Sequence, residues 1–260
     1  MQFIIPFAGK PRLNPDILEN YIFGIRPLLE ALEKGERPEK VLLQQGLGGE
    51  NYQQLFNIIR SEKIPYQMVP IEKLNRVTRK NHQGVIAYIS IISYQPLQEL
   101  LPMIYEQGEL PLLVLLYRVT DVRNLGAIAR SAECFGAHAI VIPDKGSAPV
   151  NADAIKTSAG ALSRLPVCRE GNILETIAFL KESGIKVVAA TEKTKQSLFE
   201  VDFGGPLAII MGSEDRGISF SVLKMADEAV SIPMKGNIAS LNVSVAAGIM
   251  LSEVHRQRSK

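Results

Sequence analysis

Apolar positions in this chain follow two alternating patterns: short unbroken runs, and stretches spaced at three and four residues. "IRPLLEALEKG" has helical spacing and ends at Gly35; strand-like "KVLL", helix-like "NYQQLFNIIRSE", and strand-like "YQMV" and "GVIAYISII" follow. Together they predict a small α/β layer. "SYQPLQELLPMIYEQGELP" carries three prolines and predicts one linking helix, Leu97 to Tyr105. Beyond it, "LLVLLY" predicts the first fully buried strand of a second unit. The remainder reads as a "NLGAIARSAECFG" helix, an "HAIVIP" strand, a "NILETIAFLKESG" helix, "KVVAAT" and "LAIIMG" strands, an "SVLKMA" helix, an "AVSIPM" strand and a last helix from about Ser240 to Arg258. Unbroken apolar strands alternating with helices imply a parallel sheet covered on both faces, so the expected class is α/β. No internal repeat or low-complexity tract interrupts the pattern.

One stretch sits badly in this scheme. In "SIPMKGNIASLNVSVAAGIMLSE" the polar residues Ser240, Asn242 and Ser244 stand between apolar ones where a helix should be entering a core. Either they cap the helix or they line a site.

Composition narrows the choice. A chain of 260 residues with 46% hydrophobic content can bury a sizeable core. The net charge of +2 is no polycationic signature, so any nucleic-acid binding must be local. Residues 1–95 hold 12 basic and 9 acidic side chains, against 17 and 18 in the rest. Within the front, "KLNRVTRKNHQG" carries Lys73, Arg76, Arg79 and Lys80 with no acid, a field that suits phosphates as well as a solvated face. Cys134 and Cys168 match no metal spacing and no disulfide framework, which suits a reducing cytoplasm. No apolar run reaches the length of a membrane span, and Pro6, Gly9 and Pro11 interrupt the start before a signal-peptide core could form. A soluble, cytoplasmic protein is expected.

In parallel sheets ligands bind at the carboxyl edge, where strands end and loops begin. Three such loops stand out: "LLYRVTDVRNLG", "IIMGSEDRG" and "SIPMKGNIASLN". Each mixes glycine, which lets backbone approach a ligand, with hydrogen-bonding groups. The phosphate-loop and nucleophile-elbow motifs are absent, and "GLGGEN" at Gly46 lacks the third spaced glycine of a dinucleotide site. His82, His138 and His255 form no metal cluster and read as structural or solvated.

Taken in order, the three loops resemble the motifs of the SpoU/TrmH family of RNA ribose 2′-O-methyltransferases, of the knotted SPOUT class. The first motif appears as "VTDVRNLGAIARSAECFG", the second as "LAIIMGSEDRGIS", the third as "SIPMKGNIASLNVSVAAGIMLSEVHRQR". The front, in "YIFGIRPLLEAL" and "KNHQGVIAYI", resembles the RNA-binding domain of one branch, whose fold is related to kink-turn-binding ribosomal proteins. Within that branch the chain most resembles the enzyme that methylates a guanosine in the peptidyl-transferase loop of bacterial 23S ribosomal RNA. The resemblance implies an N-terminal arm at 1–20, an RNA substrate-binding domain at 21–93, a linker at 94–110 and a trefoil-knotted methyltransferase domain at 111–260. One departure is Val122, where the family usually has proline after the aspartate.

By the same resemblance, backbone near Gly212, Ile232 and Leu241, with Thr191 nearby, cradles S-adenosylmethionine. Asn124, Arg130, Glu214, Ser240 and Asn242 make the catalytic surface. The charge of the front, rather than the resemblance, assigns Lys73, Arg76, Arg79 and Lys80 to RNA. Ribose 2′-OH is a weak acid, so transfer needs its proton removed and the reactants aligned. A guanidinium keeps its proton, with a pKa of about 12.5 or higher. Arg130 is therefore read as a charged grip on the target phosphate, with a phosphate oxygen or water taking the proton. A homodimer, with no metal and no membrane partner, completes the expectation. The competing readings are a tRNA guanosine or thiostrepton-loop adenosine target, a non-catalytic RNA-binding protein, and an assembly scaffold.

Overall fold

The computed structural model describes residues 21–36, 38–213, 215–238 and 240–259, and the chain divides into two compact units between Ile91 and Ile92. Among the described residues no helix is long and apolar enough to cross a membrane, and no group of His, Cys, Asp or Glu could hold a metal ion.

The first unit runs β1 (Tyr21–Phe23), α1 (Ile25–Glu33), β2 (Pro38–Gln44), α2 (Glu50–Ser61), β3 (Tyr66–Val69), α3 (Ile71–Val77) and β4 (Val85–Ile89). Its sheet has the order β1-β4-β2-β3, with β2 and β3 parallel and β4 antiparallel to both its neighbours. One sheet face, with Val41, Leu43, Val85 and Ala87, packs on Leu28, Leu32, Leu55 and Ile59 of α1 and α2. The other face, with Leu42, Val69 and Ile86, is covered by Leu74 and Val77 of α3. The apolar pattern predicts neither β1 nor α3. The first is three residues long, and α3 offers only Leu74 as a fully buried side chain, too few positions to show a period.

The second unit begins with α4 (Leu97–Glu106), whose Leu97, Leu100, Leu101 and Ile104 are buried. There follow β5 (Leu112–Tyr117), α5 (Val122–Cys134), β6 (Ala139–Pro143), α6 (Ala152–Thr157), β7 (Val167–Glu170), α7 (Ile173–Glu182), β8 (Lys186–Ala190), β9 (Leu207–Gly212), α8 (Phe220–Met225), β10 (Glu228–Val230) and α9 (Val243–Arg258). All six strands are parallel, in the order β10-β8-β9-β5-β6-β7. This is the expected parallel sheet. Its central strand, β5, is buried at every position and lies between β6, the next strand in sequence, and β9, in the register Leu112↔Leu207.

Two elements, α6 and β7, are not predicted by the pattern, and the last strand is shorter than "AVSIPM" suggests. It stops at Val230, before Pro233, which lacks the N–H a ladder needs. Ser231 instead pairs with Gln196 and Leu198 through backbone bonds of 2.8 and 3.0 Å. The last helix starts at Val243 rather than Ser240, and buries Val243, Ala247, Met250, Leu251 and Val254 in the core it shares with α5. Its final turn is anchored by Arg258, whose guanidinium donates to the carbonyls of Leu110, Pro111, Phe203 and Gly205 beside the starts of β5 and β9.

Candidate active site

Two helix starts define the site. Asp121 caps α5: its Oδ1 accepts from the N–H groups of Arg123 at 2.7 Å and Asn124 at 3.1 Å. Val122 occupies the first helical position, where a proline would be tolerated because that N–H has no intrahelical partner; the departure from the family pattern therefore disrupts no helical bond. Asn242 caps α9, accepting from Ser244 N at 2.9 Å and from Ser244 Oγ at 2.6 Å. A backbone N–H can only donate, so the atom facing Ser244 is the amide oxygen of Asn242. Its Nδ2 is left to donate to Asn124 Oδ1, at 3.1 Å. That bond joins the first and third sequence motifs.

A cleft of about 340 Å³ opens at this junction, lined by Arg118, Val119, Thr120, Asp121, Asn124, Gly146, Ser213, Asp215, Arg216 and Val243. Loops at the carboxyl ends of β5, β6 and β9 therefore converge with the starts of α5 and α9. Arg118 is held at φ 59, unusual for a residue with a side chain, with its guanidinium 5.2 Å from the ring centroid of Tyr117. The Tyr117 hydroxyl in turn donates to Ser219 Oγ at 3.1 Å, tying the β5 end to the loop after β9. Sequence reasoning quoted the loops that hold Arg118, Thr120, Asp215 and Arg216 without selecting these residues. The available signal was position, since Arg118 and Thr120 lie in the short link between β5 and the Asp121 cap, and Asp215 and Arg216 between Gly212 and Gly217.

The loop after β9 folds back on itself, with Gly217 N donating to Ser213 O at 2.9 Å. A Cβ on Gly212 would lie 2.6 Å from the Gly217 carbonyl carbon. Glycine at 212 is thus demanded by the hairpin itself. Gly126 is constrained similarly, since a Cβ there would stand 2.7 Å from Thr157 Cβ and 2.8 Å from Ala154 O; α5 and α6 touch through it.

The other candidate positions take defined places. Thr191 follows β8, is buried, and donates its N–H to Val230 O at 2.9 Å. Gly212 ends β9, and Ile232 follows β10 and packs against the core. Because β10, β8 and β9 are neighbours, these three residues share one edge of the sheet. Ser240 and Leu241 are exposed and lead directly into the Asn242 cap; Ser240 itself does not cap α9. Beside them Met234 and Ile238 are 41% and 80% exposed, an apolar loop without cover. These features fit a nucleoside-bearing cofactor, which needs backbone groups at a strand edge and an apolar lid. Glu214 lies outside the described residues.

Arg130 stands apart from the Asn124–Asn242 pair. Six residues along α5 separate it from Asn124 by about 9 Å and about 120° around the axis. It is exposed, does not line the cleft, and has no hydrogen-bond or ion-pair partner among the described residues. Glu133, the neighbour that could have neutralised it, lies 3.9 Å from Arg164 instead.

In the first unit Lys73 and Arg76 lie on α3, and Arg79 and Lys80 in the loop after it, all exposed. His82 organises that loop. Its Nδ1 accepts from Gly84 N at 3.0 Å, which puts the ring proton on Nε2, 2.9 Å from Asn75 Oδ1 on α3. His138 is likewise structural: Nδ1 accepts from Leu112 N at 3.0 Å, and Nε2 meets Glu109 Oε2 at 2.6 Å.

Comparison with known proteins gives this geometry a context. Residues 111–252 match the SpoU rRNA Methylase family, and residues 21–95 match the RNA 2′-O ribose methyltransferase substrate-binding family. A Bacillus subtilis protein assigned to the TrmH family of tRNA/rRNA methyltransferases is 33% identical over 92% of this chain and 96% of its own. An uncharacterized tRNA/rRNA methyltransferase of Mycolicibacterium paratuberculosis is 38% identical over 91% of this chain and 77% of its own. Among solved structures, the SpoU methyltransferase AviRb of Streptomyces viridochromogenes, in complex with AdoMet, is 26% identical with a TM-score of 0.59, covering 92% of this chain and 90% of that one. The A. aeolicus TrmH/SpoU tRNA modifying enzyme is 28% identical with a TM-score of 0.53, covering 62% of this chain and 84% of that one. With one family matching more than half of the residues and relatives aligned nearly end to end, the chain belongs to the SpoU methylase family of RNA methyltransferases.

Proposed function

We propose that this methyltransferase transfers a methyl group from S-adenosylmethionine to a ribose 2′-oxygen of RNA, its target a guanosine of 23S ribosomal RNA. The observation that carries the reading is the Asn242 to Asn124 bond, which fixes two amide side chains at the mouth of the cleft, next to the strand edge suited to the cofactor. In support of an rRNA target, the substrate-binding match spans the first unit. The tRNA modifying enzyme aligns with a share of this chain that the second unit alone could supply.

Backbone at Thr191, Gly212, Ile232 and Leu241 would hold the cofactor, which supplies an electrophilic sulfonium methyl when bound. Asn124, Asn242 and Ser240 orient the nucleotide. A charged Arg130 would hold the target phosphate, and a phosphate oxygen or water would take the 2′ proton. Glu214 is assigned to orienting the ribose or an arginine. Lys73, Arg76, Arg79 and Lys80 hold RNA phosphates.

Because Arg130 does not line the cleft of its own chain, we assign it to the cleft of a second copy in a homodimer. The groove for that copy lies along α9: Phe135, Phe199, Val245, Gly248 and Ile249 line about 430 Å³, with Phe199 62% and Val245 51% exposed. Glu253 at its rim is already bonded to Arg256 and Gln257. The trefoil knot and the kinship of the first unit to kink-turn-binding proteins belong to the same proposal, supported by the return of α9 to α5 and by the mixed sheet between helices.

The deciding experiment is labelled methyl transfer to total RNA, followed by mapping of ribose methylation in cells with and without the protein. A missing mark at one 23S guanosine is expected. A missing mark in tRNA instead would move the target, and no lost mark anywhere would overturn the assignment. Sedimentation at micromolar concentration tests the dimer; an active monomer would refute it.

A further inference from the structure

The first unit carries an aromatic surface that its basic cluster does not account for. Tyr21 and Phe23 of β1 and Tyr88 of β4 project from one sheet face, since Tyr21 pairs with Tyr88 and Phe23 with Ile86. This is the face that α3 covers through Leu74 and Val77, but the cover is centred on Leu42, Val69 and Ile86. All three aromatic residues are half-buried rather than enclosed in the core. They meet tilted or edge-on, Tyr21 to Phe23 at 6.3 Å and 53°, Tyr21 to Tyr88 at 6.4 Å and 70°. By contrast, Tyr52 and Phe56 of α2, beside the other core, are stacked at 16° and use their faces on each other.

Cations accompany two of the three rings, one lying over Phe23 and one opposite Tyr88. Lys80 Nζ lies 5.6 Å from the Phe23 ring centroid. Lys40 is the cross-strand partner of Tyr88 on β2, and its exposed ammonium reaches Gln67 Oε1 on β3 at 2.8 Å. Across the three paired strands the row thus reads aromatic, aromatic, cation, and the cation's side chain leans along the sheet to an amide level with Leu42. Aromatic faces bind any nucleobase by stacking, and ammonium groups at their margin neutralise the phosphates that link successive bases.

We propose that Tyr21, Phe23 and Tyr88, flanked by Lys40 and Lys80, form a stacking platform for unpaired bases of the RNA substrate. The platform rests on the reading of the first unit as the RNA-capturing one and adds a requirement to it: the captured segment must be single-stranded, because bases paired in a helix have no free face to offer. Lys73, Arg76 and Arg79 then grip phosphates of any RNA, while the rings select for unstacked nucleotides.

The test uses the full chain. The sequence contains no tryptophan, so Tyr88→Trp introduces a single reporter at the platform. A short oligoadenylate should quench its emission, and a self-complementary RNA duplex of equal length should not. Tyr88→Leu keeps an apolar side chain but no ring, and should weaken oligoadenylate binding about fivefold or more, the lower end of what one base stack contributes. Tyr88→Phe, the folding control, should bind as wild type. Tyr88→Leu should leave the salt dependence of binding unchanged, whereas Lys40→Gln and Lys80→Gln should each flatten it. Equal quenching by duplex and oligoadenylate, or wild-type affinity in Tyr88→Leu, overturns the platform. Labelled methyl transfer on the same preparations separates the two readings. Transfer without quenching sinks only the platform; a wild-type protein that neither binds nor methylates RNA sinks both.

Discussion

Asn242→Ala removes both the cap on α9 and the bond to Asn124. An asparagine cap contributes about 1 kcal/mol, and a solvent-accessible hydrogen bond about 0.5–1 kcal/mol. The sum, about 1.5–2 kcal/mol, lowers the Tm of a unit this size by about 3–8 °C. Asn242→Asp separates the two effects. Aspartate caps a helix as well as asparagine and adds a favourable charge at its N-terminus, so Tm should stay within about 1 °C of wild type. Its carboxylate has no N–H for Asn124 and brings negative charge to the mouth of the cleft. Single-turnover methyl transfer at saturating cofactor should fall about tenfold or more, the equivalent of about 1.4 kcal/mol in the barrier. If Asn242→Asp is as stable as wild type and equally fast, the amide pair has no part in handling RNA. An Asn242→Ala protein with unchanged Tm would show that the cap does not support the helix.

Arg130→Ala should bind S-adenosylmethionine within about twofold of wild type while transfer drops about 100-fold or more, as expected for one lost charged donor; calorimetry and single-turnover rates distinguish the two. Alanine at Lys73, Arg76, Arg79 and Lys80 together should reduce the slope of log K against log salt by about 3, from about 0.7–0.9 per phosphate contact. Asp227 sits between Lys181, at 2.8 Å, and Val187 N, at 2.8 Å. Burial works to raise its pKa, but the Lys181 and Val187 hydrogen bonds and the charges of Lys181 and Lys186 outweigh it and hold the carboxyl below its usual range. Its stabilisation is therefore complete above the unfolded pKa of about 3.9 and lost as pH falls through the lower folded value, so Asp227→Asn should flatten the acid limb of Tm against pH. Burial, and then the charge of Glu170, pushes the Cys168 thiol up to about 12. A disulfide reagent at mildly alkaline pH should label exposed Cys134, leaving Cys168 untouched until the protein is unfolded.

Long apolar runs were the legible part of the fold. "LLVLLY" coincides with β5, because an unbroken run leaves no polar face to solvate and must be buried on both sides; "YQMV" also coincides with β3, although only Val69 of that strand is buried. The missed elements bury little. In α6 only Ala154 is buried, and β7 mixes two buried residues with Arg169 and Glu170. Of the site, the Asn242 cap follows from local chemistry, since an asparagine ahead of an apolar stretch has a nearby N–H to accept from. Its bond to Asn124 crosses 118 positions and no spacing rule reaches it. Gly212 shows the opposite failing: its glycine suggests room for a ligand, yet the chain's own hairpin occupies that space. Tyr21, Phe23 and Tyr88 look like ordinary strand residues until register places them on one face.

The position of β5 between β6 and β9 also sets a timetable. Its partner on one side is the next strand, whereas Leu112 meets Leu207 only about 95 residues later, which at a synthesis rate of about 5–20 residues per second leaves one edge of β5 unpaired for about 5–20 s. For that interval an entirely apolar strand offers its N–H and C=O groups to any extended segment nearby. A newborn chain must therefore be kept from its neighbours until β9 emerges, and crowding on a polysome becomes a hazard that the finished enzyme, with this edge closed, no longer faces.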